Sequence, residues 1–199
     1  MKKPLSIGLI FGGRSPEHEV SITSARAIYR HLSQTGYRIY SIYITRDGHW
    51  QQVSSPLVSD QELKEGQPYS FLPWSSAGQQ IELKADVYFP VLHGPYGEDG
   101  TIQGLLEMAD VAYVGSPVLA SAVGMDKAIF KNLLSYLGLP VTPYLVVVEE
   151  DYKNQGSKLI RNINSVFAYP LFVKPANMGS SVGISKVKKR ADLPAALEL

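Results

Sequence analysis

The sequence contains no cysteine, which excludes disulfides and cysteine-ligated metal sites at the outset. It lacks a dominant sign of charge as well. Nineteen Lys and Arg oppose eighteen Asp and Glu, leaving a formal net charge of +1, so neither a nucleic acid nor a membrane surface is expected as partner. No apolar run approaches the roughly 20 residues that a membrane-spanning helix needs. Met1-Lys2-Lys3 has the charge of a secretory leader, but the apolar run behind it, Leu5 to Phe11, is short and interrupted by Gly8. That run meets Gly12-Gly13-Arg14 instead of a small-residue cleavage site. A soluble, cytoplasmic protein is the expectation. Neither G-x-G-x-x-G nor a P-loop occurs, which weighs against a dinucleotide oxidoreductase.

What is present is an ordinary globular composition, 45% hydrophobic and 19% charged over 199 residues, enough for one large or two small domains. Ser6 to Phe11 reads as a buried parallel strand. After Gly12-Gly13 a helical pattern places Val20, Ala25, Ile28 and Leu32 on one side, and Gly36 stops it. A strand from Arg38 to Ile44 completes a βαβ unit and predicts a parallel sheet. Arg46-Asp47-Gly48 is a turn, and Val53 to Gln80, rich in Ser, Gln and Pro, reads as irregular connections. Further strands are predicted at Val87 to Leu92 and Ala112 to Val114, with a helix between them over Ile102 to Met108 and a helix entry at Pro117. The style changes near Gly124. Asp126 can cap a helix over Lys127 to Leu137, ended by Gly138. Strands at Tyr144 to Val148, Leu171 to Lys174 and Ile184 to Val187 and a helix over Lys158 to Phe167 follow, then the opening of a helix from Asp192. The reading is an α/β protein with domains at 1–123 and 124–199.

Three loops carry the chemistry. Gly12 to Ser21 lies at the carboxyl end of the first strand, where open α/β sheets bind ligands. Its Glu17 and Glu19 also fit a helix start, where carboxylates interact favourably with the dipole by roughly 0.3–1 kcal/mol, and His18 reads as a polar surface residue. His93 to Gly104 places a histidine, four glycines and two carboxylates behind a buried strand. His93 is a candidate for an anionic substrate group, whereas Glu98 and Asp99 fit a turn and helix cap as well as a direct role. In the third, a strand delivers Lys174 to the loop Pro175 to Gly183, whose small residues expose backbone amides and two hydroxyls suited to a nucleotide's phosphates. Lys127 and the basic run Lys186 to Arg190 read, by themselves, as solvated.

Together these segments resemble the D-alanine–D-alanine ligase family. Gly12 to Ser21 is similar to its substrate loop, His93 to Gly104 to its histidine-glycine signature, Val123 to Lys127 to its Met-Asp-Lys element, and Lys174 to Gly183 to its lysine strand and glycine-serine loop. The resemblance implies a Rossmann-like parallel-sheet domain followed by the start of an ATP-grasp domain, with 124–199 as its lid subdomain. It implies ATP-dependent joining of two D-alanines through an acyl phosphate, for cell-wall precursors. Glu17 would hold the ammonium of the first D-alanine, Ser180 would join it in a hydrogen-bond network, and His93 would lie close to that substrate. Lys127 and Lys174 would bind ATP phosphates beneath the loop Gly179, Ser180, Ser181, Val182 and Gly183. In the family the ligands of Mg²⁺ or Mn²⁺, a transition-state arginine and most of the adenine pocket lie beyond the position of Leu199. These 199 residues alone are therefore expected to be inactive, and a homodimer through the N-terminal domain is expected. The competing readings are a catalytically dead nucleotide- or amino-acid-binding module, and a ligase joining D-alanine to D-lactate or D-serine.

Overall fold

The computed structural model describes residues 4–70 and 85–198. The chain divides into two compact units, Met1–Met125 and Asp126–Leu199.

The first unit is built on β1 (Ser6–Gly12), buried at all 7 residues. It pairs in parallel with β2 (Arg38–Ile44) on one side and with β5 (Val87–Pro90) on the other. The crossover between β1 and β2 is α1 (His18–Leu32). Beyond β2 lie β3 (Trp50–Val53) and β4 (Gln67–Pro68), both antiparallel, giving the order β4-β3-β2-β1-β5. The sheet is therefore mixed, its parallel centre formed by β2, β1 and β5. The Arg46-Asp47-Gly48 turn reverses the chain directly into β3, a strand between β2 and β4 that Gln51 and Gln52 disguise in the sequence.

Side chains alternate across a strand, and the two faces fill accordingly. Leu9, Phe11 and Tyr43 pack with Ile22 and Ala25 of α1. Ile10, Ile42, Ile44 and Tyr88 pack on the opposite face with Ile102 and Leu106 of α3 (Thr101–Met108). Burying each large apolar side chain contributes about 1.5–3 kcal/mol, so these two layers are what hold the carboxyl ends of β1 and β5 side by side.

Several elements differ from the sequence expectation. The inner face of α1 is set by His18, Ser21, Ile22 and Ala25, while Val20 stands 44% exposed; hydrogen bonds to the loop before the helix, not apolar periodicity, set its rotation. Within 53–70 there is regular structure. Helix α2 (Asp60–Lys64) begins with a capping box between Ser59 and Glu62 and buries Leu63, a pattern the sequence displays in Ser59-x-x-Glu62. The rest of the stretch read as irregular, 71–80, lies outside the described residues. Ala112 to Val114 is not a strand. It makes one bridge, Tyr113 to Tyr88, through two backbone bonds of 2.8 Å. Helix α4 (Val118–Met125) closes the unit.

In the second unit, α5 (Lys127–Tyr136) is followed by α6 (Glu149–Val166), whose helical geometry breaks at Gln155. Next comes an antiparallel pair, β6 (Leu171–Val173) and β7 (Ser185–Val187), and then α7 (Leu193–Leu197). Ile163, Val187 and Leu193 form its core. Tyr144 to Val148 is not a strand. Leu145 and Val147 face that core while Val146 and Val148 point outward, so the side chains alternate as in an extended segment. No strand among the described residues pairs with its backbone, and pairing is what makes a strand. No helix among the described residues is long and apolar enough to cross a membrane.

Candidate functional site

In the first unit the loops after β1 and β5 meet. Gly12 has φ +90° and Gly13 φ +96°, the left-handed region that favours glycine. The Gly13 N–H donates to the Ile44 carbonyl at 2.8 Å, tying the turn to the end of β2. Ser21 braces it from α1, its hydroxyl accepting from the Gly12 N–H at 2.8 Å and donating to the Val91 carbonyl at 2.5 Å. Ser21 is thus a positioning residue that its place at the end of the Gly12 to Ser21 loop did not reveal.

Glu17 precedes α1 and is only 3% exposed. Its backbone N–H donates to the Ser15 hydroxyl at 3.0 Å, but neither carboxylate oxygen finds a hydrogen-bond partner among the described residues. The carboxylate is seated on Gly94. A Cβ built there would lie 1.9 Å from Glu17 Oε2 and 2.9 Å from Ser15 Oγ. Any side chain at position 94 would displace the acid. Glu17 and the residue after His93, far apart along the chain, therefore share one site.

His93 is half-buried at the start of the second loop, its Nε2 3.1 Å from the Ser24 hydroxyl. Ser24 lies on α1 one turn beyond Ser21, a pairing without a signature in the sequence. For Glu98 and Asp99 the structure shows the turn and cap roles. Glu98 accepts from the Gly94 N–H at 2.7 Å, and Asp99 accepts from the N–H groups of Tyr96 at 2.9 Å and Thr101 at 3.0 Å. Burial acts to raise the Asp99 pKa, but these amides and the Thr101 hydroxyl together hold it below the usual carboxylate range. Because the folded value is depressed, the stability Asp99 adds is present above its unfolded pKa and is lost as pH falls through the folded value. A cavity of about 350 Å³ opens beside these loops, walled by Gly13, Arg14, Trp50, Leu92, His93 and Tyr96. The Arg14 guanidinium lies 5.4 Å from the Tyr96 ring centroid, within cation–π range.

His18 is not at the surface. It is 2% exposed, with Nδ1 2.6 Å from the Gly13 carbonyl and Nε2 3.1 Å from the Tyr43 hydroxyl. Its flanking glutamates disguised a buried side chain whose two ring nitrogens are both engaged inside the protein.

In the second unit, Asp126 caps α5, its carboxylate accepting from the N–H groups of Ala128 and Ile129 at 2.9 Å each. Replacing Asp126 with alanine is expected to destabilise this unit by about 1 kcal/mol, read as a lower urea midpoint at unchanged slope. Lys127 is half-buried rather than solvated. Its backbone N–H donates to the Ala176 carbonyl at 3.1 Å, and its ammonium donates to the carbonyls of Ala176, at 3.3 Å, and Met178. The start of α5 is thereby fastened to the loop that follows β6.

That loop turns on itself through bonds from Val182 N–H to the Gly179 carbonyl (2.9 Å) and from Ile184 N–H to the Ser181 carbonyl (3.3 Å). Ser180 (φ 44°), Ser181 (φ 64°) and Gly183 (φ 69°) all lie in the left-handed region. For serine this costs of order 1–3 kcal/mol, a strain that clusters at ligand clamps and switch segments. Lys174, exposed just past β6, has its ammonium 5.8 Å from the Phe172 ring centroid, and so does Lys186. The structure thus gathers Lys127, Gly179, Ser180, Ser181, Val182 and Gly183 around one loop, with Lys174 at its entrance. Among the described residues no three His, Asp or Glu side chains gather as a metal site, so these residues do not by themselves fit a divalent cation.

Comparison with known proteins gives one consistent answer. The family model described as D-ala D-ala ligase N-terminus matches residues 6–116, over half of the chain, and the one described as D-ala D-ala ligase C-terminus matches 133–199. The D-alanine–D-alanine ligase of Chloroherpeton thalassium is 46% identical over 209 residues, covering 97% of this chain and 57% of that protein. That of Geobacillus kaustophilus is 44% identical over 202 residues, covering 96% and 55%. Among solved structures, the D-alanine–D-alanine ligase from Coxiella burnetii superposes with TM-score 0.83 at 33% identity, covering 98% of this chain and 59% of that one. The VanG D-Ala:D-Ser ligase from Enterococcus faecalis does so with TM-score 0.79 at 34% identity and the same coverages. The chain spans a little over half the length of these relatives. With a family model covering more than half of its residues, on the loops that build the site, the chain belongs to the D-alanine–D-alanine ligase family.

Proposed function

We propose that the complete reading frame containing this chain encodes an ATP-dependent ligase that joins two D-alanines for cell-wall precursors. One observation supports it above the others: the Glu17 carboxylate, buried without a hydrogen-bond partner and seated on Gly94. Leaving such a group unsatisfied costs on the order of 1–3 kcal/mol or more, and a ligand ammonium removes that cost. The first unit then holds the first D-alanine, its ammonium on Glu17 and His93 near its carboxylate. The second unit binds ATP, with Lys127 and Lys174 on the phosphates and the Gly179 to Gly183 loop, Ser180 included, over them.

In this reading the carboxylate of the first D-alanine attacks the γ-phosphorus of ATP. ADP leaves and an acyl phosphate forms. The amine of the second D-alanine then attacks the acyl carbon and expels phosphate, closing the peptide bond. An acyl phosphate is easily hydrolysed, so a loop that excludes water protects it, and lysines offset charge on the transferring phosphoryl group. A Mg²⁺ accompanying the nucleotide would supply further charge compensation.

Because a D-Ala:D-Ser ligase structure also matches, with TM-score 0.79 at 34% identity against 46% for a D-alanine–D-alanine ligase sequence, D-serine is the second reading for the second substrate. The test is phosphate release and product analysis with the full reading-frame polypeptide, ATP and D-alanine, alone or with D-serine or D-lactate. D-Alanyl-D-alanine as main product supports the proposal, and a mixed product under competition moves it to the second reading. D-Alanine binding without phosphate release would identify a catalytically dead module instead.

A further inference from the structure

His18 takes no part in that mechanism, yet it is one of the most completely enclosed polar side chains described. It sits one residue after Glu17, at the first position of α1. Its Nδ1 faces a carbonyl, which only accepts, so Nδ1 carries the proton. In a neutral ring Nε2 is then an acceptor, and the Tyr43 hydroxyl donates to it. Burial above all, and then the charge of Glu19, raises the Tyr43 pKa and keeps its phenol a donor. The ring thus fastens the turn after β1, through Gly13, to the carboxyl end of β2, through Tyr43. Glu17, adjacent in sequence, turns to Gly94.

We propose that His18 is a positioning residue, and that its clamp between the Gly13 carbonyl and the Tyr43 hydroxyl fixes where Glu17 presents its carboxylate to the substrate ammonium. This rests on the function proposed above. Nothing in the clamp touches substrate, so its effect falls on binding at one subsite. A misplacement of the order of 1 Å is enough to cost up to about 10²-fold.

The test uses the full reading-frame polypeptide with D-alanine and ATP as probes. His18→Ala is expected to raise the KM for the first D-alanine roughly tenfold or more with the KM for ATP unchanged. In His18→Asn the amide nitrogen takes the place of Nδ1 and keeps the bond to Gly13, so most of that loss is recovered. Tyr43→Phe removes only the far anchor and gives a smaller increase. Equal changes in both KM values, or His18→Asn no better than His18→Ala, would overturn the clamp. Should His18→Ala fail to fold, His18→Asn and Tyr43→Phe still decide the question. A readout independent of activity is ¹⁵N NMR of the wild-type imidazole, where the Nδ1–H tautomer is expected and the Nε2–H tautomer would refute the assignment. If the wild type forms no dipeptide, the proposed function fails by itself, and the NMR result together with amide exchange at Gly13 to His18, protected in His18→Asn and lost in His18→Ala, still tests the clamp.

Discussion

On the proposed function, Glu17→Gln in the full reading-frame polypeptide is expected to weaken D-alanine binding and gain stability at once. The substitution keeps the volume of the side chain and removes its charge. With the ammonium bound, the charged pair is buried, and loss of one partner of such a pair costs about 2–5 kcal/mol, or roughly 30-fold to several thousand-fold in affinity. Without ligand the sign reverses, since a carboxylate 3% exposed with both oxygens unpartnered among the described residues opposes folding. Removing that charge should raise stability by about 0.5–2 kcal/mol, a trade-off typical of active sites. Steady-state kinetics in D-alanine and thermal unfolding without ligand check the two halves. A residue that merely starts a helix would show the opposite pattern, unchanged kinetics with reduced stability.

Gly12→Ala is expected to destabilise the first unit by about 2–5 kcal/mol. The added Cβ would lie 2.2 Å from the Ile44 carbonyl oxygen and 2.8 Å from the Tyr43 ring, at φ +90°. That oxygen accepts the Gly13 N–H and belongs to the backbone of a buried strand, so it cannot swing aside as a side chain does. The left-handed backbone adds about 1–2 kcal/mol for an L-residue and forced overpacking about 1–3 kcal/mol, a large part of an ordinary domain's 5–15 kcal/mol. The control is Gly36→Ala, at φ +80° with nothing within 4 Å of the built Cβ, which should show the backbone cost alone. Urea midpoints of the two variants check this. Equal midpoints would mean that the contact with Ile44 does not matter.

Much of this was legible in the residues. The continuous apolar run Ser6 to Phe11, the helical pattern from Val20 to Leu32 and the glycines that bound them gave β1, α1 and β2, and the loops at the strand ends were recognisable by composition. Other features depend on contacts between distant segments. Strand β3, paired on both sides, carries the half-buried Gln51 and Gln52 and so shows no apolar run. Tyr144 to Val148 is apolar and β-branched but lacks a pairing partner among the described residues, so composition alone reads it as a strand. His18 and Lys127 looked solvated because charge and polarity in a sequence carry no information about which carbonyl is waiting nearby. The seat of Glu17 on Gly94 joins positions whose only sequence trace is a glycine, and glycines there have several uses.

The most direct test is a structure of the complete polypeptide with D-alanine and a non-hydrolysable ATP analogue bound. The D-alanine ammonium should lie about 3 Å from a Glu17 carboxylate oxygen, above Gly94. D-Alanine found elsewhere, with Glu17 still buried and unpartnered, would contradict the assignment of this site.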